Sequence, residues 1–334
     1  AEVAEEGAET TKNWFYKVAS IRELVPRFYV EIAILQCYRL LMPASELPAV
    51  VERLSRAIRG FGDPLAATYA RSYLVHKAID LTPLHAHSLV HGPVLDTITV
   101  FEKQLMADQE GKGPIKGMQH VKASVTPAEY FGTFRPALEW LLQSLAEYHP
   151  TQETFVQLVK VYRQRCKAAL ILNAIICSFS PRLVSANALP ICELIKEADA
   201  TFFSRHHLYV SLGRVLCDVP PPREELLQCL NDVWAELGHS KSPHNYVAVA
   251  CQYLQLLLSQ FGVPEVHRLL KDLLKKVTPE KAYLQMLPQL QSVVGAVLQA
   301  GGAKLGSIFV LEAFQRLLSL FDRAHSVENW KNVM

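Results

Sequence analysis

Val266-His267-Arg268-Leu269-Leu270-Lys271-Asp272-Leu273-Leu274-Lys275-Lys276-Val277 is a stretch that buries one side and solvates the other. Its apolar members, Val266, Leu269, Leu270, Leu273, Leu274 and Val277, recur at i, i+3 and i+4, with Arg268, Lys271, Asp272 and Lys275 between them. At 3.6 residues per turn this spacing gathers the apolar side chains into one stripe along a helix. The stripe returns as Leu47, Val50, Val51, Leu54, Ile58 and Phe61, as Phe155, Leu158, Val159 and Tyr162, and as Leu226, Leu227, Leu230, Val233, Trp234 and Leu237. Nowhere does a sustained period of two appear, so the pattern predicts an all-α chain.

Pro43, Pro64, Pro83, Pro127, Pro150, Pro181, Pro243, Pro264 and Pro279 punctuate these stripes, often just after Thr, Ser or Asp. That order suits a capping residue followed by a proline whose missing N–H would have been unpaired anyway. Helices are predicted near 13–41, 45–61, 64–80, 84–107, 128–148, 151–164, 167–179, 183–198, 202–217, 222–238, 243–261, 264–276, 280–300 and 304–322. From Thr151 onward every second start, near 151, 183, 222, 264 and 304, recurs at a spacing close to the two-helix unit of HEAT and armadillo arrays. A hairpin of this kind covers its stripe only against its neighbours. The expected fold is therefore a HEAT-like α-solenoid of antiparallel helix pairs, right-handed and elongated. It should occupy 13–334, after an acidic, Ala-rich, disordered segment at 1–12. An exposed loop is expected near 108–126, where Gly111, Gly113 and Gly117 alternate with lysines.

Of the 334 residues 50% are hydrophobic and 20% charged, with 34 Lys+Arg against 32 Asp+Glu and a formal charge of +2. This excludes a disordered charged tail and gives no electrostatic footprint for nucleic acid, so proteins are the expected partners. The 7 cysteines, at Cys37, Cys166, Cys177, Cys192, Cys217, Cys229 and Cys251, include no CxxC pair and sit mostly in apolar runs. That is reduced, cytoplasmic usage, with the thiols as small core residues. The start lacks the basic and apolar regions of a signal peptide and an initiator Met, and reads as a cut inside a longer protein. The longest apolar stretch, Ala168 to Phe179, is interrupted by Asn173 and falls short of the roughly 20 residues that span a bilayer. Membrane association, if any, is expected to be peripheral.

Motifs for chemistry are sparse. His87 and His91, near His85, share a helix face as metal ligands can, but no Glu follows as in HExxH and no Cys is near, which favours a solvated or N-terminal-turn cluster. His206 and His207 point in two directions on a helix. Gly60 and Gly62 resemble the opening of a phosphate loop, yet no strand precedes them, and a helix end followed by the cap Asp63 explains them better. Trp14, Trp140 and Trp234 lie on apolar stripes and are expected in the core. No catalytic residue, cofactor or metal is predicted.

One feature resists a purely structural reading. Pro26 interrupts a long apolar-periodic segment, which forces a kink or break at Val25. If a helix restarts at Pro26, Arg27 lies in its first turn, where the dipole disfavours a cation. Arg27 then either pairs with Glu23 or Glu31, each four residues away, or answers an acidic or carbonyl group on a partner with Phe28 and Tyr29 as aromatic contacts. Arg71, outside this motif, is the natural control.

The words around Pro26 carry a resemblance. Asn13-Trp14-Phe15-Tyr16-Lys17-Val18-Ala19-Ser20-Ile21-Arg22-Glu23-Leu24-Val25-Pro26-Arg27-Phe28-Tyr29-Val30-Glu31 resembles the signature of the large subunit of Retriever, the endosomal recycling complex related to Retromer. The likeness continues through Ile58 to Leu65 and Tyr69 to Leu74, more weakly through Leu138 to Trp140 and Leu170 to Ala174, and again at Thr278 to Ala282 and Pro288 to Gln291. In the Retromer large subunit the matching motif is Pro, Arg, Leu, Tyr, Leu, where that solenoid receives an arrestin-fold subunit. Carried over, the resemblance implies partner contacts at Pro26, Arg27, Phe28, Tyr29 and Val30. Phe28 and Val30 depart from the Retromer leucines, which points to the Retriever arrestin-fold paralogue as partner. The resemblance further implies a non-enzymatic scaffold, peripheral on endosomes, with a coiled-coil assembly and a sorting-nexin cargo adaptor as further partners; the helices by themselves leave open a generic HEAT-type scaffold of the phosphatase-regulatory or transport-receptor kind, and an all-α enzyme. The family's metallophosphoesterase-fold small subunit binds a carboxy-terminal solenoid, before which this chain is expected to be truncated.

Overall fold

The structure is a computed structural model and describes residues 2–110, 125–239 and 242–321. Among them are eighteen α-helices, several short 3₁₀ turns and no strand. The chain divides into two compact units, one of residues 1–180 with 199–203, the other of 181–198 with 204–334.

In the first unit α1 (Glu2–Ala19) and α2 (Leu24–Ala33) are followed by a 3₁₀ segment (Leu35–Leu40), α3 (Leu47–Ile58), α4 (Pro64–Leu81), α5 (Ala86–Gln109), α6 (Pro127–Gly132), α7 (Arg135–Tyr148), α8 (Gln152–Arg165) and α9 (Ala169–Ser178). α4 is the hub, packing on α2, α3, α5 and α7, and α7 in turn covers α9. α9 is apolar nearly all round and buried from Ala169 to Ile176, as a core helix must be. Residues 199–203 return to this unit. Ala169 N–H donates to the Asp199 carbonyl at 2.9 Å, Asp199 N–H donates to the Lys167 carbonyl at 2.8 Å, and Phe202 stacks on Phe131 at 4.6 Å.

The second unit holds α10 (Pro181–Ala186), α11 (Ala188–Glu197), α12 (Arg205–Asp218), α13 (Arg223–His239), α14 (Pro243–Gln260), α15 (Val263–Val277), α16 (Leu287–Ala300), α17 (Leu305–Phe309) and α18 (Glu312–Leu318). α12, α14 and α16 lie side by side, and α11 packs on α13 and α15 on α18, so alternate helices fall in alternate rows. This is the stacking of antiparallel pairs that the repeat spacing predicts, and each α15 stripe residue from Val266 to Val277 is buried by it.

Helix starts follow from local chemistry. Asp63 accepts N–H bonds from Leu65 and Ala66 ahead of Pro64; Thr126 and Glu129 form a capping box around Pro127; Thr151 and Ser242 cap α8 and α14.

Three expectations are corrected. Residues 1–12, expected to be disordered, belong to α1 from Glu2 on; their glutamates sit where a helix N-terminus favours negative charge. The predicted 13–41 helix is three elements. The 128–148 segment breaks ahead of Pro136, which takes the first turn of α7. Most of the loop expected near 108–126 lies outside the described residues; α5 continues to Gln109 and α6 starts at Pro127.

Gly213 marks a close approach in the second unit. A Cβ there would lie 2.6 Å from Tyr253 Cε2, on a ring that is fully buried. Gly213→Ala is expected to lower the urea midpoint, because overpacking costs about 1–3 kcal/mol against about 1 kcal/mol gained in helix propensity. A raised midpoint would show that the two helices can separate freely.

Candidate functional site

Pro26 has no N–H to give to a preceding turn, so a helix arriving from α1 cannot run through it. The chain breaks at residues 20–23, a turn earlier than expected, and Glu23 adopts an extended conformation (ψ 128°) as the cap of α2. Pro26 thus becomes the third residue of the new helix, among the positions whose N–H groups need no partner. The first intrahelical bond is the one from Arg27 N–H to the Glu23 carbonyl, at 3.2 Å. No acidic residue lies in the first turn of α2.

The five motif side chains go four ways. Phe28, 2% exposed, and Ile32 one turn on enter the core built with α3 and α4, and the Phe28 ring meets Phe61 edge-on at 5.1 Å. Phe28 is therefore not the partner contact that the sequence reading offered; it fixes the helix. Tyr29 is half-buried and stacks on Tyr73 of α4, ring centroids 5.9 Å apart. Pro26 and Val30 are exposed.

Arg27 faces a cleft of about 550 Å³ beside α1, together with Lys12, Tyr16, Glu31, Tyr38 and Arg53. Three cations here face one carboxylate, and that carboxylate is occupied. Glu31 accepts the Tyr38 phenol at 2.7 Å and pairs with Arg53. Burial first, and then the bond to Glu31, hold the Tyr38 hydroxyl protonated far above its ordinary range. Arg27 makes no ion pair and no side-chain hydrogen bond among the described residues. The internal pair with Glu23 or Glu31 is not formed. Trp14, 56% exposed, and Tyr16, 74% exposed, lie close by in sequence on α1. Trp14 and Trp140 were expected in the core; both are more than half exposed, because only one stripe of a surface helix can be covered.

Lys12, Tyr38 and Arg53 were not singled out in the sequence. They come from three elements, and only the fold gathers them around Arg27. Arg71, taken as a neutral control, is 3% exposed and its Nη1 has no hydrogen-bond partner among the described residues; burial depresses its pKa, against the pull of Asp96. It is a buried charge and no control. α3 ends at Ile58 with Arg59, rather than Gly60, as its C-cap, and Asp63 caps α4, as read. The His206 and His207 rings lie tilted against each other, centroids 3.8 Å apart, and burial, then His207, push His206 down to about 4. The His87 side chain lies outside the described residues. Among those described, no group of three His, Cys, Asp or Glu is placed to hold a metal. Nor is any single helix long and apolar enough to cross a membrane. Cys166, Cys192 and Cys229 are buried, whereas Cys177 is exposed.

Comparison with known proteins agrees with this architecture. Residues 150–334 match the family described as VPS35L C-terminal domain, and residues 1–123 match the one described as VPS35L. The chain belongs to the VPS35L family. It is similar to the VPS35 endosomal protein sorting factor-like protein of Dictyostelium discoideum, 34% identical over 95% of the chain and 31% of that relative. To the proteins of that name in Danio rerio and Homo sapiens it is 33% and 32% identical, over 100% and 94% of the chain and 34% and 32% of those relatives. The chain spans about a third of the length of the curated relatives it matches. The resemblance to the Retriever large subunit thus rests on the whole VPS35L-matched length as well as on the Pro26 motif.

The two faces of α2 make opposite predictions for stability. Phe28→Ala should cost about 3–5 kcal/mol, the usual range for emptying a buried aromatic site, whereas Arg27→Ala, which breaks no internal bond, should leave the melting temperature nearly unchanged. Thermal unfolding of both variants by circular dichroism checks this; a comparable loss in both would mean that Arg27 is tied into the fold.

Proposed function

We propose that this VPS35L-family chain is a non-enzymatic scaffold subunit of an endosomal recycling complex, and that α2 with the basic cleft beside it receives the arrestin-fold subunit of that complex. The observation that carries the reading is Arg27, a cation on the cleft wall with no partner among the described residues, next to a carboxylate already taken by Arg53 and Tyr38. Such a cation is solvated in the free chain and is available to a carboxylate or carbonyl of a docking protein. Desolvated charge-assisted bonds at an interface centre can be worth about 2 kcal/mol or more.

Within this reading the contact roles are divided. Arg27 gives the polar contact, Pro26 and Val30 the exposed apolar edge, and Phe28 the anchor that keeps α2 in register. The family resemblance suggests an endosomal location, peripheral to the membrane, with the long helix rows offered to a coiled-coil assembly and a cargo adaptor. A stacked-helix fold suits the task, since its surface grows with each added pair while stability stays a sum of neighbour terms.

Isothermal titration with the arrestin-fold Retriever subunit tests the proposal. Arg27→Ala should weaken binding at least tenfold, about 1.4 kcal/mol, and Arg56→Ala, an exposed residue paired with Glu52 on its own helix, should not. Equal affinity of wild type and Arg27→Ala would remove α2 from the interface.

A further inference from the structure

A second cleft opens on another side of α2. Tyr29 lies two residues beyond Arg27, roughly 200° round the helix, and lines a cavity of about 590 Å³ with residues of α4 and α7. Four aromatic rings form much of its wall. Tyr29 stacks on Tyr73 at 5.9 Å with 23° between planes, and Trp140 meets Tyr69 edge-on at 6.1 Å. The Tyr69 ring is held by its hydroxyl, which donates to the Thr133 carbonyl at 3.0 Å. Trp140 is 55% exposed, and its indole makes no hydrogen bond among the described residues. The carboxylate on this wall belongs to Glu147, seven residues after Trp140 and so on the same face of α7. Glu147 makes no ion pair and no hydrogen bond among the described residues. At the rim, Lys77 Nζ already sits 6.0 Å from the Tyr73 ring centroid, so one ring of this set faces a cation in the free chain.

We propose that this cleft binds an arginine side chain from an extended segment of a partner protein. Ring faces carry negative quadrupole density and attract cations, and the single lining carboxylate adds charge of the same sign. An anionic segment would meet repulsion from Glu147, the one carboxylate among the lining residues. Arginine fits better than lysine because its planar guanidinium lies flat on a Tyr or Trp ring while its edge forks onto a carboxylate. Serine and glutamine side chains elsewhere on the wall can serve the backbone of the segment. The proposal does not rest on the arrestin-subunit reading, since Arg27 lies in the other cleft.

The test needs no partner protein. The chain is labelled with 5-fluorotryptophan, and the Trp140 signal, among those of its 4 tryptophans, is assigned by its loss in Trp140→Phe. Titration with acetyl-Gly-Arg-Gly-amide should move the Trp140 fluorine signal saturably, with acetyl-Gly-Glu-Gly-amide giving no saturable shift. Glu147→Gln, an exposed and unpaired site whose change leaves the core intact, should weaken the arginine peptide at least threefold. An unmoved Trp140 signal, an equal response to the glutamate peptide, or unchanged affinity in Glu147→Gln would each overturn the proposal.

Discussion

Phe28 and Ile32, one turn apart on α2, are packed against α3 and α4, and that contact fixes what α2 displays to either side. A ten-residue helix has little stability of its own in water and holds its place by the face it buries. With Phe28 seated on Phe61, Arg27 is turned toward α1 and Tyr29 toward α4. α4 then does double duty. It supplies the floor under α2 and carries Tyr69 and Tyr73 into the aromatic cleft, so both clefts inherit their shape from one packed interface.

The charge pattern around α2 follows the same economy of partners. Glu31 has two claimants, Arg53 and Tyr38, and both reach it from elements that pack beside α2. Arg27, four residues earlier on the same helix, is therefore left over. A partly exposed unpaired arginine costs the fold little because water solvates it, whereas Arg71, buried with an unpaired Nη1, shows what the same group looks like when the core closes over it. The contrast explains why residue type and sequence spacing alone could not tell a displayed arginine from an enclosed one.

Much of the helical architecture was legible because its signals are local. The α15 stripe, the Asp63–Pro64 and Thr126–Pro127 starts and the all-α class need only a few neighbouring residues to be read. The breaks were less legible. Pro26 announces a discontinuity, yet its place, at residues 20–23, depends on Phe28 finding Phe61. The acidic start looked disordered because composition does not distinguish a solvated tail from a helix N-terminus rich in glutamate. Of the site, the motif itself could be read, but the roles of its members could not. Burial of Phe28, exposure of Trp140 and the convergence of Lys12, Tyr38 and Arg53 on Arg27 are consequences of long-range packing.

The central claim is that α2 is a preformed docking element whose exposed side faces the α1 cleft. Hydrogen–deuterium exchange of the chain alone and with the arrestin-fold Retriever subunit measures this directly. The account predicts that amides from about residue 12 to residue 33, covering the end of α1, the break at 20–23 and α2, exchange more slowly in the complex, while α15 and α16 are unchanged. Binding with protection confined to helices of the second unit would contradict it.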